Sequence, residues 1–183
     1  MVLTHIAVGM ALSLPVALLA PEFGTVAAIG GAIGGIVPDI DLFVGEHRRT
    51  LHFPVLSWPI AIAGCAITLA VPSSLAVVVS AALVAAAVHS TSDMFGAGTE
   101  LRPWERTNPN AVYDHLRERW LPARYVVRYD GAPEDLALTV VFAAMIAVSL
   151  DGSPRWIAVA AVVTAIPYVV FRKRLPEYFE KIL

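Results

Sequence analysis

Residues 23–41 read Phe-Gly-Thr-Val-Ala-Ala-Ile-Gly-Gly-Ala-Ile-Gly-Gly-Ile-Val-Pro-Asp-Ile-Asp. No charge interrupts the stretch until Asp39. The glycines at 30/34 and 31/35 recur at helical spacing and put small residues on two adjoining faces, the pattern that lets helix backbones approach closely inside a membrane bundle. The stretch lacks the lysine and serine of a phosphate-binding loop, and no strand pattern precedes it. Pro38 predicts the helix end, so Asp39 and Asp41 are delivered to a membrane interface.

Similar apolar blocks occupy residues 6–20, 53–71, 74–88, 136–150 and 155–171. The chain has 183 residues, is 57% hydrophobic and only 15% charged, against about 25% charge in a typical soluble domain. The blocks also lack the polar face that an outer helix of a soluble fold needs. Some match the length required to cross about 30 Å of hydrocarbon and others, at roughly 15 residues, are short. The expectation is an all-α fold: one integral membrane domain over 1–183, a polytopic bundle of about six transmembrane helices, with 90–134 as a cytoplasmic or interfacial insertion. No cleavable leader is expected, because the first block lacks a basic start and carries His5. Cys65, the single cysteine, reads as a packing residue.

Charge predicts the orientation. Arg48 and Arg49, six arginines of the insertion, and Arg172, Lys173, Arg174 and Lys181 fall on one side, which makes 12 of 13 basic residues; Arg155 alone falls on the other. By the positive-inside rule the termini and both long loops face the cytoplasm, giving a multi-pass cell-membrane protein whose basic residues touch lipid headgroups. The net charge of −2 argues against a nucleic-acid binder. Within the insertion, residues 110–120 place Val112, Leu116 and Trp120 at helical spacing and predict a short interfacial helix. Glu100, Arg102, Trp104 and Glu105 are candidates for a lid.

The same side collects the titratable residues. His5 begins the first block, Asp39 and Asp41 end the second, His47 and His52 precede the third, and His89 ends the fourth with Asp93 one turn on. Imidazoles and carboxylates at similar depth suit a divalent transition metal, zinc first, which also compensates negative charge beside lipid. The histidine content disfavours calcium or magnesium alone. The pool exceeds the needs of one ion, so two fit. A hydrogen-bonded polar seam is the alternative to a metal. The expected chemistry is metal-assisted hydrolysis, with Asp39 or Asp41 accepting the water proton and Arg48 or Arg49 holding an anionic group. Topogenic arginines in the headgroups are an equal alternative. His47 stands as ligand, supporting donor or solvent-facing residue. His115 is peripheral.

Thr4-His5, the glycine-rich helix leading to Pro38-Asp39-Ile40-Asp41, His47-Arg48, Thr50-Leu51-His52 and His89 with Asp93 together resemble the YdjM-like inner-membrane-associated metal-dependent hydrolases. The resemblance covers nearly the whole chain, with its motifs in residues 4–98. It implies a membrane hydrolase with these residues at its metal site. Phe53 stands where that family usually has serine after the histidine. The order His5, Asp39, His52, His89, Asp93 is more distantly similar to the zinc-dependent phospholipase C and P1-nuclease group, which cleaves phosphoesters. The further ligands of a three-zinc cluster are missing after Asp93, so a one- or two-metal site is implied. The leading expectation is a hydrolase of a lipid or other phosphoester at the cytoplasmic interface. The alternative is a noncatalytic metal-stabilised scaffold or a small transporter. A transporter should carry polar residues at mid-membrane depth, and the later blocks are poor in them.

Overall fold

The computed structural model describes residues 2–182, with side chains described through Tyr178; Lys181 lies outside the described side chains. The order is α1 (Val2–Ala11), α2 (Leu14–Leu19), α3 (Gly24–Ile36), α4 (Ser57–Ala70), α5 (Ser74–Ser92), β1 (Asn110–Asp114), β2 (Arg119–Pro122), α6 (Pro133–Ser149), α7 (Ser153–Phe171) and α8 (Leu175–Ile182). All six apolar blocks are helical. The first is broken into α1 and α2 just before Pro15, whose ring removes a backbone donor. The second does not stop at Pro38 but tightens into a 3-10 turn over Val37–Leu42.

Among the described residues, four stretches are long and apolar enough to cross a membrane: Val2–Leu19, Pro21–Leu42, Ser74–Phe95 and Ser153–Phe171. These four carry the coarser expectation, a polytopic bundle of apolar helices. The third apolar block, residues 53–71, turns before its helix starts, and α4 keeps only 14 residues, about 21 Å of rise. α6 has 17 residues and begins with Glu134 and Asp135. Both still present apolar side chains outward: Ile62 and Leu69 on α4 are 66% and 85% exposed, and Val148 on α6 is 81% exposed.

The glycines of α3 carry the packing. A Cβ at Gly30 or Gly34 would overlap the carbonyls of Val78 or Ala82 on α5; one at Gly31 or Gly35 would overlap those of Gly9 or His5 on α1. The two expected small faces are therefore each spent on a different neighbour. The core beside them is small and apolar, with Ala7, Met10, Ala28, Ala32, Ala143, Ile146 and Ala158. Overpacking such a contact costs roughly 1–3 kcal/mol. Gly34→Val is accordingly expected to lower the thermal midpoint of the detergent-solubilised protein by several degrees, while Gly96→Ala, in extended backbone where an added Cβ would meet only the Asp93 carbonyl at 3.3 Å, shifts it less. Equal midpoints in a fluorescence melt would refute this account of the α3–α5 crossing.

The interfacial helix expected over 110–120 is instead a β-hairpin. Tyr113 pairs with Trp120 and Asp114 with Arg119. Asp114 decides this: its buried carboxylate accepts the Leu116 and Arg117 N–H groups, a side-chain turn that competes with helix. His115 thus lies in a turn, packed on Phe53 and Tyr113.

Candidate metal centre

Four elements converge at one end of the bundle. α1 brings His5, the 3-10 turn after α3 brings Asp39 and Asp41, the loop before α4 brings His47 and His52, and the end of α5 brings His89 and Asp93. The glycine faces of α3 make this possible, since they let the α1, α3 and α5 backbones meet next to His5 and Gly35.

His52, His89 and Asp93 are buried, at 0%, 1% and 5% exposure, with Asp39 at 9%. His52 Nε2 lies 3.1 Å from Asp93 Oδ2 and 3.7 Å from Asp39 Oδ1; His89 Nε2 lies 3.6 and 3.5 Å from the same two oxygens. Zinc bonds of about 2.0–2.1 Å in a tetrahedron set ligand atoms roughly 3.4 Å apart. These four separations match such a shell.

The outer sides of both rings are fixed. His89 Nδ1 donates to the Gly35 carbonyl at 2.9 Å. His52 Nδ1 donates to Asp41 Oδ2 at 2.8 Å. A carbonyl and a carboxylate only accept, so the neutral rings carry their protons on Nδ1. Their Nε2 lone pairs then face the cluster. His52 Nε2, His89 Nε2 and Asp93 Oδ2 are all buried without a hydrogen-bond partner. Burying three acceptors against one another is unfavourable, and a cation removes the penalty. On this ground the residues fit a divalent metal. His52–His89–Asp93 forms one three-residue set with metal-ligating spacing, and His5–Asp39–His89 forms another.

Asp41 is placed differently from Asp39. Its Oδ1 accepts from His47 Nδ1 at 2.8 Å, and its Oδ2 accepts from His52 and from the Leu51 N–H. Asp41, His47 and His52 also have metal-ligating spacing, but both Asp41 oxygens are already engaged. Of the two carboxylates expected to accept a proton, Asp39 alone lines the adjoining cavity. Burial disfavours a charged His52, yet Asp93 and Asp41 outweigh it and hold the ring above the ordinary histidine range; carboxylates that favour a proton there favour a metal cation too. For His47 burial prevails over the Asp41 bond, and Arg48 adds to it, so this ring is held below that range.

No family model matches the chain, and no curated protein or solved structure matches it.

The cavity measures about 690 Å³ and is lined by His5, Asp39, His47, Arg48, Asp93, Glu100, Leu101, Tyr168 and Arg172, among others. Arg48 adopts a left-handed backbone, with φ 61°, and its carbonyl accepts the Tyr113 N–H of β1. Its guanidinium donates to the Ala97 carbonyl at 2.6 Å, with Nε 3.8 Å from Asp93 Oδ2. Arg49 turns away, paired with Glu46 and stacked on Tyr113. Glu100 reaches the cavity wall, whereas Trp104 packs on Tyr129 and Arg172.

The remaining wall is a latch that sequence reading missed. Arg172 donates to both Asp130 oxygens, and Tyr168 donates to the same carboxylate. Burial raises the Asp130 pKa, but the guanidinium outweighs it and holds the carboxyl below the usual range. Thr164, Tyr168 and Arg172 recur at helical spacing toward the end of α7 and all line the cavity, a stripe that was legible. Asp130, 42 residues from Arg172, was not.

Proposed function

We propose that the chain is a multi-pass membrane metalloenzyme, a metal-dependent hydrolase acting on a lipid or other phosphoester at the cytoplasmic interface. The observation that carries this reading is the set of three buried, unpartnered acceptors, His52 Nε2, His89 Nε2 and Asp93 Oδ2, beside a cavity of about 690 Å³. Those three residues and Asp39 would hold one ion, zinc by donor type. When bound, the metal supplies Lewis acidity and lowers the pKa of a coordinated water. Asp41 and the Gly35 carbonyl keep the two rings oriented. Arg48 brings positive charge to the cavity wall for an anionic substrate group. The cavity lies in the range of small-ligand sites, about 300–1,000 Å³.

The membrane placement we infer has all six apolar helical segments in the bilayer, since α4 and α6 also turn large aliphatic side chains outward. The clustering of basic residues sets the site end toward the cytoplasm. The order of motifs supports membership of the YdjM-like hydrolases, and a phosphoester substrate accords with the more distant likeness to zinc-dependent phospholipase C. A metal-stabilised scaffold is the competing reading, favoured by one observation: four protein ligands would close a tetrahedral shell, as in structural zinc sites.

Turnover separates the two. Purified protein presented with mixed micelles of phospholipids and with soluble phosphoesters is expected to release product, to lose activity on chelation and to regain it with zinc. Metal bound at full stoichiometry with no turnover of any panel member would favour the scaffold.

A further inference from the structure

A groove runs along the half of the bundle remote from the metal centre. α1 and α4 both pack on α5, and the groove lies between them. Val77, Ser80, Ala81 and Val84 of α5 form its floor. Leu12 and Val16 of the α1–α2 segment form one wall, and Cys65 and Leu69 of α4 the other. It measures about 530 Å³, within the range of small-ligand sites, about 300–1,000 Å³. Among the described residues, no charged side chain lines it.

Its depth identifies the medium it meets. Val2–Leu19 and Ser74–Phe95, which supply one wall and the floor, are each long and apolar enough to cross a membrane. The groove ends at Leu19, Phe23 and Pro72, beside the turns opposite the metal centre. From Leu19 back to Gly9, at its inner end, the chain rises about 15 Å. That is half of the hydrocarbon core of about 30 Å, the depth of one leaflet and of an acyl chain standing in it.

The polar groups on the walls are spent inside the protein. Thr68 Oγ1 donates to the Ala76 carbonyl at 3.0 Å, so in the Thr68–Ser80 pair, 2.5 Å apart, Ser80 is the donor. Ser13 donates to the Met10 carbonyl at 2.5 Å. All three hydroxyl protons are committed, and the Cys65 thiol is a weak donor. A polar ligand would give up its hydration here without regaining its hydrogen bonds. Water, which needs several polar partners, is no better served. A hydrocarbon chain gives up no hydrogen bond and gains dispersion contacts with both walls.

We propose that this groove binds one acyl chain of a membrane phospholipid from the leaflet opposite the metal centre. Leu12, Leu19 and Leu69 on its rim are exposed, so the chain leaves the groove only into lipid. The headgroup then lies beside the turns that hold Phe23 and Pro72. The seated chain completes the packing between the α1–α2 segment and α4, which has only 14 residues. The site needs these helices to lie in the bilayer, as proposed above, and does not need the metal.

The full chain is reconstituted into phosphatidylcholine vesicles that include a phosphatidylcholine with a photoactivatable diazirine midway along one acyl chain. Irradiation and peptide mapping are expected to place adducts on Cys65, Ala81 or Val84. Native mass spectrometry of the detergent-extracted protein is expected to show one phospholipid retained per chain. Ala81→Phe fills the floor and should lose both signals. Val163→Phe, at an exposed position of α7 outside the groove, should keep both. Adducts confined to positions outside the groove, or a phospholipid retained equally by Ala81→Phe, would overturn the site. So would a wild-type dimer that Ala81→Phe dissociates, which would give the groove to a second copy of the chain. Protein that does not float with the vesicles would overturn the membrane placement, whereas protein that floats but retains no lipid overturns the groove alone. Should Ala81→Phe not purify as a helical protein, the wild-type adducts and retained lipid decide.

Discussion

His89→Ala is expected to abolish high-affinity metal binding, with zinc affinity falling by more than the roughly 10–100-fold typical of losing an outer-shell partner. The ring offers one lone pair to the cluster because Nδ1 is committed to the Gly35 carbonyl. Nothing nearby replaces it: His5 lies stacked alongside and His47 is bonded to Asp41. Removal leaves His52 and two carboxylates, fewer nitrogen donors than zinc sites ordinarily use. Thermal stability gives a second readout. An ion that binds only the folded state stabilises it by about 2.7 kcal/mol at a hundred times its dissociation constant. Chelator should therefore lower the wild-type melting temperature by more than that of His89→Ala. The variant also deletes a buried ring and its bond to the Gly35 carbonyl, so its metal-free form should melt below the metal-free wild type, and the chelator-induced shift within each protein is the readout. A chelator-induced drop of equal size in both proteins would show that the ion sits elsewhere.

Asp41→Asn is expected to cost about 10–100-fold in zinc affinity without removing a ligand of the four-residue shell. Asp41 accepts a hydrogen bond from His47 on one oxygen and from His52 on the other. An asparagine keeps one acceptor and turns an amine toward the second ring. Where that amine meets His52, the ring must accept at Nδ1, which moves its proton to Nε2 and blocks the ligand atom. Where it meets His47, the disturbance falls on a ring outside the four-residue shell. The amide thus competes between the two rings, and His47→Ala, which frees one oxygen, should recover part of the loss in the double variant. Competition against a chromophoric chelator measures all three affinities. An Asp41→Asn protein binding zinc as tightly as the wild type would mean that His52 is oriented by something else.

Much of this architecture was legible because membrane folding leaves strong marks. Uninterrupted apolar blocks became helices, and the glycines at 30/34 and 31/35 met separate neighbours. Both follow from local chemistry: hydrocarbon demands internally bonded backbone, and only a missing Cβ admits a carbonyl at van der Waals contact. Residues 110–120 misled for an equally physical reason. Val112 and Leu116 fit a helical period, but the buried Asp114 carboxylate offered two backbone N–H groups a better partner. The length of α4 was misread because the loop before it stays turned to carry His52 into the cluster.

At the site, residue types and chain order were enough to nominate His5, Asp39, Asp41, His47, His52, His89 and Asp93, because titratable groups at the ends of apolar segments need a reason to be there. Their division of labour could not be read that way. Asp39 and Asp41 are two residues apart with the same side chain; one opens on the cavity while the other is saturated by two imidazoles. Arg48 and Arg49 are adjacent and identical; one enters the cavity wall and the other leaves it. A periodic rule assigns residues to a face of a helix, but these lie in a 3-10 turn and an irregular loop, where each direction depends on partners from α3, α5 and β1 far along the chain. Composition and order named the candidate ligands and the end of the bundle that gathers them; long-range packing determined which of their nitrogen and oxygen atoms face one another.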